Sequence, residues 1–407
     1  MTTIKDSVHD HIAVDGVAAA LLDTPPVQRL RRVSQLGTVS LVYPSANHTR
    51  FEHSLGVYHL ADRALAQLGV GGDRGERVRA AAMLHDVGHA PYSHNIEDLI
   101  HRRTGKYHDD VAAIVGAGRV ADVLADHGLS PARVTDLIAG EGRLGQLIAG
   151  ELDVDRMDYL VRDAHHTGVP YGTIDTGRLV GALRYVDGRL VLDEGNVQTA
   201  ESLLLARALM NPTVYSHHVA RISKSMLRHA SERLLEAGIV DGARLRRMDD
   251  YELLVALRTN AVSAGIGDRL AERDLFKRAV WAEMGDVPDH VVEADHATVR
   301  GFEADIADAA DVDEDEVVVD VQPRPSMQES TTRVMVNGDI RRLDEQSTLV
   351  AALRQAQREQ WRLGVYAPDP LTDRVGRAAD TVLGLETEGA LVSEVGHPRV
   401  EKRLDEF

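Results

Sequence analysis

The amino-acid sequence predicts a mainly α protein: a large helical bundle that carries one β-hairpin and is followed by a small α+β module. Three observations carry this expectation. Apolar residues recur at helical spacing in segments from Val17 to Leu235, the period that buries one face of a helix. The stretch Leu183 to Leu192 instead alternates around Asp187-Gly188, a residue pair suited to a two-residue type I′ hairpin turn. Beyond about residue 265, β-branched runs flank a single helical segment. The chain of 407 residues is therefore divided into a bundle over residues 1–265, a module over 266–380 and a tail over 381–407, since single cores stop growing at roughly 250 to 300 residues.

Taken in order, helical periodicity runs through Val17 to Leu22, Leu55 to Leu68, Val78 to Leu84, Val111 to Leu124, Met157 to Val161, Leu203 to Met210 and Ile222 to Leu235. In the module, Val317 to Val321, Arg333 to Val336 and Arg362 to Tyr366 read as strands, and Leu349 to Gln360 as a helix. A further helix and a loose tail are expected from about residue 380. Asp311, Asp313 and Asp315 imitate the start of a calcium loop. Glu316 stands where such a loop needs Gly, however, and Gln322 where it needs Glu, so the run reads as a solvated loop.

Hydrophobic residues make up 43 % of the chain and charged residues 27 %, the composition of a globular protein; aromatics are only 4 %, leaving a core of aliphatic residues. No apolar run approaches the roughly 20 residues of a membrane helix. The first residues carry Asp6, Asp10, Asp15 and Asp23 rather than a signal peptide, so a cytoplasmic protein without membrane contact is expected. With no Cys, any metal must be held by nitrogen and oxygen. A net charge of -18 argues against a nucleic-acid partner, which would need cations in excess. Among 46 basic residues only Lys5, Lys106, Lys224, Lys277 and Lys402 are lysines. That bias, on an acidic surface, is halophile-like; a genome whose codons favour Arg would produce it equally.

Chemistry concentrates in three segments. In Ala80 to His94 an apolar helix delivers His85 and Asp86, then breaks at Gly88 and Pro91, with His89 and His94 close behind. An adjacent imidazole and carboxylate at the end of a buried helix form a natural two-ligand donor, although a hydrogen-bonded cap would use the same pair. Arg50-Phe-Glu-His53 sets a ligand type beside an anion-binding type at a helix entrance. In Glu151 to Asp163, Asp155, Tyr159 and Arg162 or Asp163 share a helix face. Alone, that stripe is equally a wet surface.

The ordered set of His53, the His85-Asp86 pair and a distant Asp155 resembles the HD superfamily. Asp23 to Gly37, Tyr43-Pro44, Arg50 to Val57, His85 to His94 and Asp153 to Asp163 look like the deoxynucleoside triphosphate triphosphohydrolases, without the sterile-alpha-motif domain of the mammalian enzyme. The likeness runs from about residue 4 to 240 and resumes weakly at Val317 to Val321, Met327-Gln-Glu329 and Arg333 to Tyr366. It implies an HD-domain helical bundle over residues 1–265 and an assembly and nucleotide-clamping role for 266–380. His53, His85, Asp86 and Asp155 become ligands of a divalent transition metal, suited to manganese, iron, nickel or zinc, with magnesium joining through substrate phosphates. His89, His94, Glu97, His108 and Asp109 fall where the family contacts phosphate or moves protons. Arg50, Arg156 and Tyr159 would grip phosphates, and Gln35, Leu36, Asp163 and Tyr215 would meet sugar and base. Asn211 and Thr213 depart from the mammalian-type His and Arg, Glu97 replaces an Asp, and Asp109 replaces a Glu.

The implied reaction is hydrolysis of a deoxynucleoside triphosphate to deoxynucleoside and inorganic triphosphate, by a homo-oligomer of four or more chains. The rivals are another HD reaction, a nucleoside monophosphatase or phosphodiesterase, and a nucleotide-sensing oligomer with little turnover. The family's guanine-nucleotide activator site corresponds to Asp23, Gln28 and Arg31. Alternatively, Asp23 simply caps the helix that begins at Pro25-Pro26. Neutral imidazole ligands imply activity that falls below about pH 6.5.

Overall fold

Helix boundaries follow local chemistry. The helix Arg50–Leu68 starts at a capping box, in which the Glu52 carboxylate accepts the backbone N–H and the hydroxyl of Thr49, and it stops at Gly69 in the left-handed region. The helix Val154–Thr167 is capped by the Asp153 carboxylate, which accepts the Arg156 N–H at 2.8 Å, and ends at Gly168. In this computed structural model the described residues are 2–325, 331–386 and 391–392. The Met327-Gln-Glu329 motif and most of the expected tail lie outside them.

The chain forms two compact units, one of residues 1–274 and 327–353, the other of residues 275–326 and 354–407. Residues 331–353, which fall inside the span expected for the second module, thus pack with the first unit, and the division falls within the helix Thr348–Glu359.

The first unit is the expected helical bundle. Helices Arg50–Leu68, Gly72–Leu84 and Val154–Thr167 form its centre, with Leu60, Leu65, Met83, Leu84, Val154 and Leu160 fully buried among them. Leu183–Val186 and Arg189–Leu192 pair antiparallel about Asp187 and Gly188, both with positive φ, as a type I′ turn requires. A second hairpin, Arg333–Val336 with Asp339–Arg342, joins the first through Leu192 and Val334 to make a four-stranded sheet. The sequence reading also missed an N-terminal hairpin, Thr2–Asp6 with Asp10–Val14. The expected helix from Val111 to Leu124 is two helices, Ala112–Val115 and Gly118–Asp126.

The second unit is the α+β module. Its antiparallel sheet places Arg362–Ala367, buried along its length, between Lys277–Glu283 and Val318–Asp320. Helices His296–Ala310 and Thr372–Leu383 pack on it around Val280, Ile306, Leu363, Val365 and Val375. Asp311 ends the first of these helices, and Asp313 caps a short turn through Glu316.

Candidate active site

Three segments of the first unit bring together His53, His85 and Asp86, whose ligand atoms lie within 4.8 Å of one another, with Asp155 beside the two imidazoles. The helix Arg50–Leu68 contributes His53, the end of Gly72–Leu84 contributes His85 and Asp86, and the first turn of Val154–Thr167 contributes Asp155. His53 Nε2 lies 2.8 Å from Asp155 Oδ1, 3.3 Å from His85 Nε2 and 3.7 Å from Asp86 Oδ2. His85 Nε2 lies 3.4 Å from Asp86 Oδ1 and 3.9 Å from Asp155 Oδ1. Ligands bonded at about 2.0 to 2.2 Å to a first-row ion stand roughly 3.0 to 3.6 Å apart in tetrahedral or octahedral geometry, so these spacings fit a single cation.

The outer nitrogens show that this set is aimed. His53 Nδ1 donates to Asp158 Oδ2 at 2.7 Å, and His85 Nδ1 donates to the Ala82 carbonyl at 2.8 Å. Each bond leaves Nε2 as the inward atom, which is how carboxylates and carbonyls orient metal-binding imidazoles. Asp158 was not singled out by the sequence, although it follows Asp155 by one helical turn. Its buried carboxylate also takes His9 Nε2 at 2.6 Å and the Arg162 guanidinium at 2.9 and 3.0 Å. Arg162 in turn holds Asp6 of the N-terminal hairpin at 2.9 Å. Gly56 makes this network possible: a Cβ there would fall 1.8 Å from Asp158 Oδ1. Replacing Asp158 by Asn should weaken metal affinity by about 10- to 100-fold while the four ligands stay in place. Competition with a chromophoric chelator measures it, and unchanged affinity would remove Asp158 from the site.

Burial alone would lower the His53 pKa, but the carboxylates of Asp155, Asp158 and Asp86 outweigh it and raise it to about 10. Metal-free protein therefore keeps its imidazolium through neutral pH, and an incoming ion must displace a proton. The raised pKa shifts the expected window upward from the ordinary imidazole value of about 6.5. The competing proton is present below about pH 10 and lost above it. Apparent metal affinity should then rise by about tenfold per pH unit across the neutral range, with about one proton released per ion. Calorimetry in buffers of different ionisation enthalpy reads this directly; a buffer-independent heat near neutral pH would contradict it.

Burial would raise the Asp86 carboxyl, yet the Arg50 guanidinium at 3.0 Å holds it well below the usual carboxylate range. Arg50 also donates to Ser93 Oγ at 2.8 Å, tying the ligand pair to the following turn. That turn carries Tyr92 and Ser93 at φ 55° and 57°, left-handed conformations that cost non-glycine residues of order 1 kcal/mol or more each. It delivers His94 to the cavity. Glu97 lies between His94 and His108, accepting His94 Nδ1 at 2.6 Å and also Nδ1 of His108. Burial would raise the Glu97 carboxyl, but the two imidazoles hold it far below its ordinary value. His108 approaches because Gly88 lacks a side chain; a Cβ there would meet the His108 carbonyl at 2.0 Å.

His89 completes this imidazole group. Its ring is buried and stacks on His108 at 4.3 Å and 10°, and burial keeps its pKa well below normal. Nε2 lies 3.2 Å from Asp86 Oδ1, yet neither ring nitrogen completes a hydrogen bond. His89, His94 and His108 present three nitrogens within 4.8 Å. That spacing lets the three nitrogens meet a single ion or several oxygens of an anion.

A cavity of about 460 Å³ opens on both groups. Gln35, Leu36, Arg50, Asp109, Tyr159, Asp163 and Tyr215 line it, as does Asn211 at the position where the sequence departs from the mammalian-type His; the cations Arg207 and Lys224 also line it and were not singled out by the sequence. Asp163 is held by His48 Nε2 at 2.8 Å and by the Tyr215 hydroxyl at 2.9 Å. Gln35 Oε1 is buried without a partner. Arg156 follows Asp155 directly: its guanidinium donates to the Gly150 carbonyl at 2.5 Å and bonds Tyr159 of this cavity, and it lines an adjoining cavity with Asp153, Asp155 and Arg333.

Asp23, Gln28 and Arg31 form a separate group. Gln28 donates to the Leu22 carbonyl and accepts Arg31 Nε at 3.0 Å, while the Arg31 guanidinium covers the Phe51 ring. Asp23 ends the helix Gly16–Leu22, and the residue at the N-terminal cap of Pro25–Arg29 is Thr24. Capping of the second helix thus does not explain Asp23.

Among the described residues no helix is long and apolar enough to cross a membrane. Comparison with known proteins matches residues 50–163 to the HD domain and residues 174–394 to the HD-associated region. An uncharacterized protein of Methanocaldococcus jannaschii is 31 % identical over 377 residues, covering 90 % of this chain and 79 % of that one. A Dictyostelium discoideum protein named deoxynucleoside triphosphate triphosphohydrolase SAMHD1 homolog is 31 % identical, covering 56 % of this chain and 48 % of its own length. The human enzyme SAMHD1 is 28 % identical, covering 64 % and 50 %. This chain thus spans about half the length of those two named triphosphohydrolases. Among solved structures, a hypothetical protein from Aquifex aeolicus aligns with a TM-score of 0.76 at 27 % identity, over 93 % of this chain and 99 % of that one. A phosphohydrolase from Bacteroides thetaiotaomicron aligns at 0.72 and 25 %, over 90 % and 100 %. With the HD-associated region alone matching more than half of its length, the chain belongs to the HD-domain phosphohydrolase superfamily.

Proposed function

We propose that the chain hydrolyses deoxynucleoside triphosphates to deoxynucleoside and inorganic triphosphate. The observation that carries the reading is the cavity beside the four metal donors, which combines a sugar-sized polar set with several cations. Asp163, fixed by His48 and Tyr215, accepts a sugar hydroxyl, and the unpartnered Gln35 oxygen meets a further donor of the nucleoside. Leu36 and Tyr215 border the sugar and base. Arg50, Arg207, Lys224 and Tyr159 face the phosphates, and Arg156 joins them through Tyr159. The named triphosphohydrolase relatives support this assignment.

His53, His85, Asp86 and Asp155 would hold a divalent ion, which would supply Lewis acidity and make water nucleophilic at neutral pH. Imidazole and carboxylate donors suit manganese, iron, nickel or zinc, with magnesium accompanying the substrate phosphates. Water attacks the α-phosphorus, and the bond to the sugar 5′ oxygen breaks. Arg50 offsets charge on the phosphoryl oxygens. His94, 52 % exposed in the cavity and held by Glu97, protonates the departing 5′ oxygen, with His108 sharing the same carboxylate. His89 contacts phosphate, and Asp109 lines the entrance. Incubation with manganese and each nucleotide, followed by chromatography, tests the reading. Triphosphate with deoxynucleoside supports it; orthophosphate identifies a monophosphatase, a nucleoside monophosphate a different cleavage, and unchanged bound nucleotide a sensor.

The group of Asp23, Gln28 and Arg31 is proposed to take a guanine nucleotide that activates the enzyme and draws chains into a tetramer or larger homo-oligomer. Asp23 accepts from the guanine ring N–H and amine, and Gln28 and Arg31 address its other edge and a phosphate. In Asp23→Ala, GTP should no longer raise either the rate on a non-guanine deoxynucleotide or the mass seen by light scattering, while metal content stays at the wild-type level. Equal wild-type rates with and without GTP would dismiss the activator role.

A further inference from the structure

We propose that Asp250, together with Arg29, is a positioning residue that holds the His89–His94 turn in its working geometry. Asp250 begins the helix Asp250–Thr259, is 6 % exposed and does not belong to the group of cavity-lining residues. Its two carboxylate oxygens are divided between separate segments. Oδ1 accepts the Tyr92 N–H at 2.6 Å, and Oδ2 accepts the Ser34 N–H at 2.9 Å. One buried group thus joins the turn that carries His94 to the segment that carries Gln35.

Arg29 fastens the other end of the turn. Its guanidinium donates to the His89 carbonyl at 2.9 Å and to the carbonyls of Arg247 at 2.8 Å, Arg246 at 3.2 Å and Met248. Those last three carbonyls lie just before Asp250 in the chain, so both clamps are anchored in one stretch, residues 246–250. A third fastening runs through Ser93, whose hydroxyl donates to the Ser34 carbonyl at 2.6 Å while accepting Arg50 Nε at 2.8 Å.

The clamp acts on the part of the turn that resists its own conformation. Tyr92 and Ser93 are consecutive non-glycine residues with positive φ, and such a pair persists only where surrounding contacts over-determine it. The Tyr92 N–H bonded to Asp250 sits at the start of that pair, and His94 follows it directly. Releasing the N–H lets the pair relax toward ordinary φ and swings His94 away from the reacting atoms. Misplacement by about 1 Å is enough to cost roughly 100-fold in rate. The catalytic consequence rests on the proposed role of His94; the mechanical part does not.

The test compares wild type, Asp250→Ala and Asp250→Asn as full-length, manganese-loaded protein. It reads kcat and KM on the deoxynucleotide that wild type hydrolyses, metal content, and amide hydrogen exchange in peptides covering residues 89–96. Asp250→Ala should lose about 10- to 100-fold in kcat. Its KM should stay within about twofold and its metal content unchanged, with exchange accelerated in the turn but not in the helix Arg50–Leu68. Asp250→Asn keeps one acceptor oxygen and should fall between the two in both kcat and exchange. If the Ala variant fails to fold, Asp250→Asn against wild type decides the matter on its own: lower kcat together with faster exchange in the turn is expected. Wild-type kcat in either folded variant despite faster exchange overturns the positioning role, and wild-type exchange overturns the clamp itself. A wild type that hydrolyses no deoxynucleotide defeats the proposed function instead, while the exchange comparison still judges the clamp.

Discussion

Asp86→Ala and Asp155→Ala are expected to keep the helical fold, lose the metal, and lose hydrolysis by about three orders of magnitude or more, the several kcal/mol that metal catalysis supplies. Each substitution removes one of the four proposed donors, which lie 2.8 to 3.9 Å from an imidazole of the set. Asp155 is the cleaner test, because its side chain is 35 % exposed. Loss of Asp86 also strips Arg50 of its carboxylate at 3.0 Å and leaves a buried guanidinium uncompensated. Asp86→Ala should therefore melt earlier than Asp155→Ala while both lose metal alike. Full metal occupancy by elemental analysis in either variant would reject the ligand assignment.

Gly56→Ala is expected to destabilise the protein by about 3 to 5 kcal/mol, the range seen when a buried ion pair is broken. Helix propensity alone favours the opposite sign, by about 1 kcal/mol for Gly to Ala in a helix interior. Packing decides: the new methyl would stand 1.8 Å from Asp158 Oδ1 and 2.5 Å from an Arg162 nitrogen, both fully buried. Asp158 cannot retreat without releasing His53 Nδ1, His9 and Arg162 together. Metal affinity should therefore fall along with stability. Chemical denaturation with parallel metal titration reads both, and a variant as stable as wild type would show that the network has slack the geometry does not reveal.

The gathering of His53, His85, Asp86 and Asp155 was legible because three short motifs in fixed order carry them, although the His85-Asp86 pair alone would equally have read as a hydrogen-bonded cap. The residues that aim them were not. Asp158 has the same type and spacing as any solvated helical carboxylate, and only the fold shows that Gly56 opens a space for it. His48 and Arg29 have partners more than 50 residues away, at Asp163 and at His89 and residues 246–248. No local pattern encodes such pairings.

The fold divides along similar lines. Long amphipathic helices declare themselves by period, but the span from Val111 to Leu124 holds that period across Gly116 and Gly118, where the chain breaks. The N-terminal hairpin escaped notice because most of its residues are exposed and its turn ends at Asp10, at φ 63°, without Gly or Pro. Asn337-Gly338 is a strong hairpin signal. Its second strand, Asp-Ile-Arg-Arg, has no apolar alternation to support it.

The central claim is that water attacks the α-phosphorus of a deoxynucleoside triphosphate in the cavity beside His53, His85, Asp86 and Asp155. Turnover of a manganese-loaded preparation in ¹⁸O-enriched water, followed by mass spectrometry of both products, tests it most directly. About one ¹⁸O atom is expected in the inorganic triphosphate and none in the deoxynucleoside. Label in the deoxynucleoside, or label in orthophosphate or diphosphate with no triphosphate formed, would contradict it.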